Sequence, residues 1–67
     1  MNKETIKAFI AWLEEASLEE IRTHQAFVVE NLKDVRTPEG RADAKLALRL
    51  IDEEILARMA LNRSRRG

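Results

Sequence analysis

"VENLKDVRTPEGRADAKLALRLIDEEI", residues 29–55, decides the fold. Two helical runs meet across "TPEG": Thr37 can cap, Pro38 suits a first helical position and Glu39 favours the opening turn. A helix that stops and restarts within a few residues implies an antiparallel αα-hairpin. Gly40 costs a helix interior about 1 kcal/mol relative to Ala, so close backbone approach at the turn is the alternative reason for its presence.

Upstream, Leu18, Ile21, Gln25, Val28, Leu32 and Val35 alternate steps of three and four, a heptad seam over a helix of about 18–36. Gln25 is its one polar member and reads as a register-fixing residue or a contact. Ala26, Phe27 and Val29 lie off the seam. Downstream, a helix of about 38–61 carries Ala44, Leu48, Ile51, Ile55 and Met59 on one face and Leu46, Leu50 and Leu61 well around the cylinder. Glu54 and Arg58 are spaced for an i, i+4 ion pair.

The chain opens with a third, shorter helix of about 3–15, with Asn2 as N-cap and Ile6, Phe9, Ile10 and Leu13 on one face. Trp12 falls off the centre of that stripe and is either flanking core or an exposed contact. Ser17 followed by Glu20 is a capping box, so a new helix starts at Leu18. Residues 62–67, NRSRRG, read as a flexible, solvated tail. The expected architecture is one all-α domain over 1–67.

Sixty-seven residues bury too small a core for comfortable stability. With no cysteine and a single histidine, His24, neither disulfides nor a structural zinc site can staple the chain. Self-association remains. Each hairpin helix has more apolar surface than one neighbour covers. A homodimer with a four-helix-bundle-like core is expected, with Leu18, Ile21, Val28, Leu32, Leu48, Ile51 and Ile55 as dimer core. Its parallel or antiparallel arrangement stays open, and residues 3–15 serve as a lid or a swapped arm.

No catalytic, cofactor or metal constellation stands out, and an enzyme is not expected. His24 with Glu20 at i−4 reads as a surface polar pair, and Asp52, Glu53 and Glu54 fan out around their helix. No Gly-rich phosphate loop or activated nucleophile is recognisable. The twelve Lys/Arg and twelve Asp/Glu cancel. They are unevenly placed: residues 1–34 carry four basic against seven acidic residues, residues 35–67 eight against five. Neither a signal peptide nor a membrane span is expected, and the absence of cysteine fits the cytoplasm.

Apolar anchors rimmed by charge are the candidates for partner binding: Trp12, Glu15, Glu19, Arg36 and Arg41, with Phe27 and Arg58 beside them, Trp12 and Phe27 being open to a core reading as well. Glu14, Glu15, Glu19 and Glu20 form an acidic corner. Arg63, Arg65 and Arg66, with Arg36 and Arg41 at the turn, support an alternative nucleic-acid-associated regulator. Long hairpin helices and zero net charge count against it. A structural or assembly dimer is a further alternative.

The short leading helix, the "EEASLEEI" start and the "TPEGRADAKLALRLIDEEI" hairpin resemble the phage quorum-sensing anti-activator family made early in infection of Pseudomonas, over most of residues 5–58. The resemblance implies a compact helical homodimer in the host cytoplasm that binds and inhibits host proteins. The targets it implies are the DNA-binding domain of a quorum-sensing regulator and the ATPase driving type IV pilus assembly. It carries no individual functional residue across.

Overall fold

The computed structural model describes the backbone of residues 1–66 and the side chains of residues 1–61. The chain is all-helical: α1 is Lys3–Glu15, α2 is Leu18–Leu32 and α3 is Pro38–Arg66, with no strand among the described residues. Each start is written locally. The Asn2 side chain accepts from the Thr5 N–H at 2.8 Å. The Ser17 hydroxyl accepts from the Glu20 N–H at 3.1 Å while the Glu20 carboxylate accepts from the Ser17 N–H at 3.0 Å. Thr37 accepts from the Gly40 N–H at 3.1 Å. Caps of this kind are each worth about 1 kcal/mol.

Two boundaries differ from the sequence expectation. α2 stops at Leu32 rather than about residue 36. Pro38 disfavours helical backbone at Thr37, and the Thr37 cap needs the chain to have left its previous helix. The exit is tightened by short-range bonds, Asp34 N–H to the Asn31 carbonyl at 3.0 Å and Val35 N–H to the Leu32 carbonyl at 3.3 Å. α3, in contrast, passes residue 61 and stays helical to Arg66. Past Gly40 the sequence holds no Pro or Gly before Gly67, so no helix-breaking residue type stops the helix earlier. The expected flexible tail is thus α3 backbone over 62–66; its side chains and Gly67 lie outside the described residues.

α3 is the spine, and both α1 and α2 pack on it. The Met1 ammonium pairs with Asp43 at one end of α1. At the other end, the Arg58 Nη2 donates to the Leu13 and Ala16 carbonyls at 2.6 and 2.7 Å. α1 therefore runs in the same direction as α3. Gln25 of α2 donates to the Asp52 carboxylate of α3 at 3.1 Å, so the polar seam residue has a partner within the chain.

The buried core is Leu13, Ala16, Ile21, Ala47 and Ile51. Phe9, Trp12, Leu50 and Ile55 pack around it. Ile21 and Ile51 are 0% exposed, each contributing about 1.5–3 kcal/mol by burial. They were expected in a dimer core, yet their own chain already encloses them, leaving no surface for a second copy to cover. Of the other expected dimer-core residues, Val28, Leu32, Leu48 and Ile55 are half-buried and Leu18 is exposed.

Two substitutions test this description. A Cβ at Gly40 would sit 2.7 Å from Val35 Cγ1 and 2.8 Å from Thr37 Oγ1. Propensity alone makes Gly40→Ala stabilising by about 1 kcal/mol. The crowding displaces the capping hydroxyl and reverses the sign, so thermal melting should show a lower Tm. Arg58→Ala removes charged hydrogen bonds to two carbonyls and to Glu54, which lies 2.8 Å from Arg58 Nε. It should cost about 2–3 kcal/mol in denaturant titration, whereas exposed Arg49→Ala, whose partner is Glu53, should cost under about 1 kcal/mol.

Candidate functional site

Two aromatic pairs at helical spacing, Phe9 with Trp12 on α1 and His24 with Phe27 on α2, meet where the helices converge. Ala16 and Ser17 both take extended backbone, giving the abrupt two-residue joint that folds one pair towards the other. Phe9 and Trp12 stack with centroids 5.9 Å apart, and His24 lies 5.7 Å from Phe9 and 5.1 Å from Trp12, edge-on to the indole. Phe27 stacks on His24 at 6.1 Å. Such ring pairs add about 0.5–1.5 kcal/mol beyond the area they bury.

The cluster floors an open groove of about 570 Å³ lined by Trp12, Ser17, Glu19, Glu20, Thr23, His24 and Phe27. Its inner side is sheltered and its outer side is not: Phe27 remains 62% exposed. Glu19 and Glu20 edge it with carboxylates, and exposed Glu14 and Glu15 stand at the adjoining end of α1. Bonding to the Ser17 backbone, then to its side chain, holds the Glu20 carboxyl below its ordinary value of 4.5. Glu20 therefore holds its negative charge on the groove rim more firmly than an ordinary carboxyl. Among the described residues, no three His, Cys, Asp or Glu side chains converge as a metal site, and no helix is long and apolar enough to cross a membrane. The arrangement offers an apolar floor and hydrogen-bonding rim for contact.

Of the expected contact residues, the structure brings Trp12 and Glu19 together in this groove. Trp12 is half-buried, packing on the core while lining the groove. Glu15, the last residue of α1, is exposed beside it. Arg36 and Arg41 lie beyond the opposite end of α2, whose 15 residues span about 22 Å. Arg41 is engaged there, its Nη1 donating to the Val35 carbonyl at 3.5 Å. The expected His24–Glu20 pair does not form, because the capping box turns Glu20 back to Ser17. His24 instead joins the rings, and Phe9, expected only as core, supports the same cluster. The repeated i, i+3 aromatic spacing is the sequence signal that marks these two residues.

Comparison with known proteins adds no relative. No protein-family model matches the chain, and neither a curated protein nor a solved structure is significantly similar.

The lowered Glu20 pKa predicts an acid-sensitive joint. Because the folded value lies below 4.5, the contribution is complete above about pH 4.5 and lost as pH falls through the folded value. Glu20→Gln keeps an oxygen for the Ser17 N–H but does not titrate. Melting curves between neutral pH and pH 3 should therefore show a smaller acid-induced fall in Tm for this variant than for the parent chain.

Proposed function

We propose that this chain is a small protein-binding module that inhibits a larger partner by occupying one of its surfaces with the α1–α2 groove. Phe27 carries this reading: a large aromatic ring left 62% exposed, in a groove shared with Trp12 and His24. Aromatic anchors ringed by polar groups are what binding hot spots are built from. The carboxylates of Glu19 and Glu20 favour a partner surface bearing cations.

The resemblance to phage quorum-sensing anti-activators fits the same reading. It supplies the candidate partners: the DNA-binding domain of a quorum-sensing regulator, or the type IV pilus assembly ATPase, in a host cytoplasm. α2 and α3 are read as an antiparallel hairpin because five residues, 33–37, join two helices that pack together. On this reading the hairpin is the support on which α1 and the groove are presented.

Phe27→Ala and Glu19→Lys are the tests, since neither side chain is buried. Glu19→Lys should shift stability by less than about 1 kcal/mol and Phe27→Ala by about the 0.5–1.5 kcal/mol of its stack on His24, both leaving the helices formed. Phe27→Ala should weaken partner binding by about 30-fold, the scale of losing one hot spot. Affinity capture from a bacterial lysate, read by quantitative mass spectrometry, would compare the parent chain with each variant and with Arg49→Ala. A protein retained by the parent and Arg49→Ala chains but lost by Phe27→Ala is the expected outcome. Equal capture by all would refute the proposal, and salt-sensitive capture of nucleic acid alone would favour a phosphate-binding regulator.

A further inference from the structure

Taking the groove as a partner-binding surface, we infer that it is built for a partner arginine. The guanidinium seats at the α1–α2 joint, against the Trp12 indole and the Glu19 and Glu20 carboxylates, and an apolar neighbour covers Phe27. The lining residues are sorted along α2. Glu19 and Glu20 lie in its first turn, and Phe27 lies eight positions beyond Glu19, about 12 Å along the axis. One end therefore presents carboxylates, and the other presents a ring that is 62% exposed. Trp12, in the last turn of α1, and His24, one turn after Glu20, line the stretch between with their centroids 5.1 Å apart.

Charge complementarity identifies the occupant. Four exposed acidic residues, Glu14, Glu15, Glu19 and Glu20, gather at the joint. Arg58, the cation at the same joint, is already bonded to Glu54 and to the Leu13 and Ala16 carbonyls. Exposed Arg22 lines the neighbouring concavity beside Leu18 and Ala26. The start of α2 offers little to an anion, because the capping box engages the Ser17 and Glu20 N–H groups. Glu20 uses only Oε1 for the Ser17 N–H, and its second oxygen stays an acceptor. The rings then choose among cations. A lysine ammonium is strongly hydrated and is held best within a cage of rings, whereas this groove is open. A guanidinium is planar and weakly hydrated. It can stack on one ring face while its edge N–H groups reach carboxylates.

The probe is a displayed library of short random peptides, selected on the parent chain and counter-selected on Phe27→Ala. Recovered peptides should carry an arginine and an apolar residue spaced to span about 12 Å. Replacing that arginine by citrulline, which keeps the shape and loses the charge, should weaken binding at least about tenfold in isothermal titration. Lysine should fall between, about threefold weaker than arginine. On the protein side, Glu19→Lys should weaken the arginine peptide and favour its glutamate version. Groove-dependent peptides without arginine would overturn the inference, as would citrulline binding as tightly as arginine; either leaves the groove a partner surface of other chemistry. Recovery of no groove-dependent peptide would overturn it too. The citrulline comparison leaves the protein unchanged, so no loss of folding can mimic its result. Conversely, an arginine-selective groove whose lysate capture is indifferent to Phe27→Ala would sink the inhibitory reading alone.

Discussion

The Arg58 side chain fixes how α1 sits, and the groove depends on that placement. One guanidinium, braced by Glu54, donates to two carbonyls where α1 ends. Helix ends leave carbonyls without intrahelical partners, and here a cation from α3 supplies the donors. α1 is thus held near Arg58 at that end and near Asp43 at the other, which sets the register of its aromatic edge against α2. Phe9 and Trp12 are thereby held against His24, and Phe27 is stacked outermost.

The second joint, between α2 and α3, is built differently. It is made of groups close in sequence: the Thr37 hydroxyl, the Gly40 backbone and the Val35 side chain, with Arg41 donating to the Val35 carbonyl. The two joints divide the labour. The 33–37 connection sets where α3 begins, and Arg58 sets where α1 stops. Between them lies a core so slight that, among the described residues, Ile21 and Ile51 are the large side chains wholly enclosed.

What could be read in advance follows the range of the interaction responsible. Asn2, the Ser17–Glu20 box and Thr37–Pro38 act within three residues, so all three helix starts were legible. The end of α2 was not: Val35, the last seam position, still reads as helix, whereas the chain leaves α2 at Leu32 through short-range bonds at Asp34 and Val35. The Glu54–Arg58 pair was legible from spacing, but the carbonyls of Leu13 and Ala16 lie 45 and 42 positions away, beyond any local pattern. For His24, two readings competed for one carboxylate; the closer bond to Ser17 prevailed. At Ile21 and Ile51, periodicity identified a face needing cover without distinguishing a neighbouring helix from a neighbouring chain. Trp12 and Glu19 could be named one by one from the sequence; that both line one groove depends on the Ala16–Ser17 joint.

The placement of Trp12 has an optical consequence. It is the chain's single tryptophan and there is no tyrosine, so near-ultraviolet emission comes almost wholly from the indole where α1 meets α2. Lifting α1 from α3 would move that indole from a ring cluster into water and shift its emission to the red. An apolar occupant of the groove would exclude water from the same ring and shift it to the blue. The molecule thus carries one intrinsic chromophore whose colour distinguishes opening of the fold from engagement of its surface, without any label.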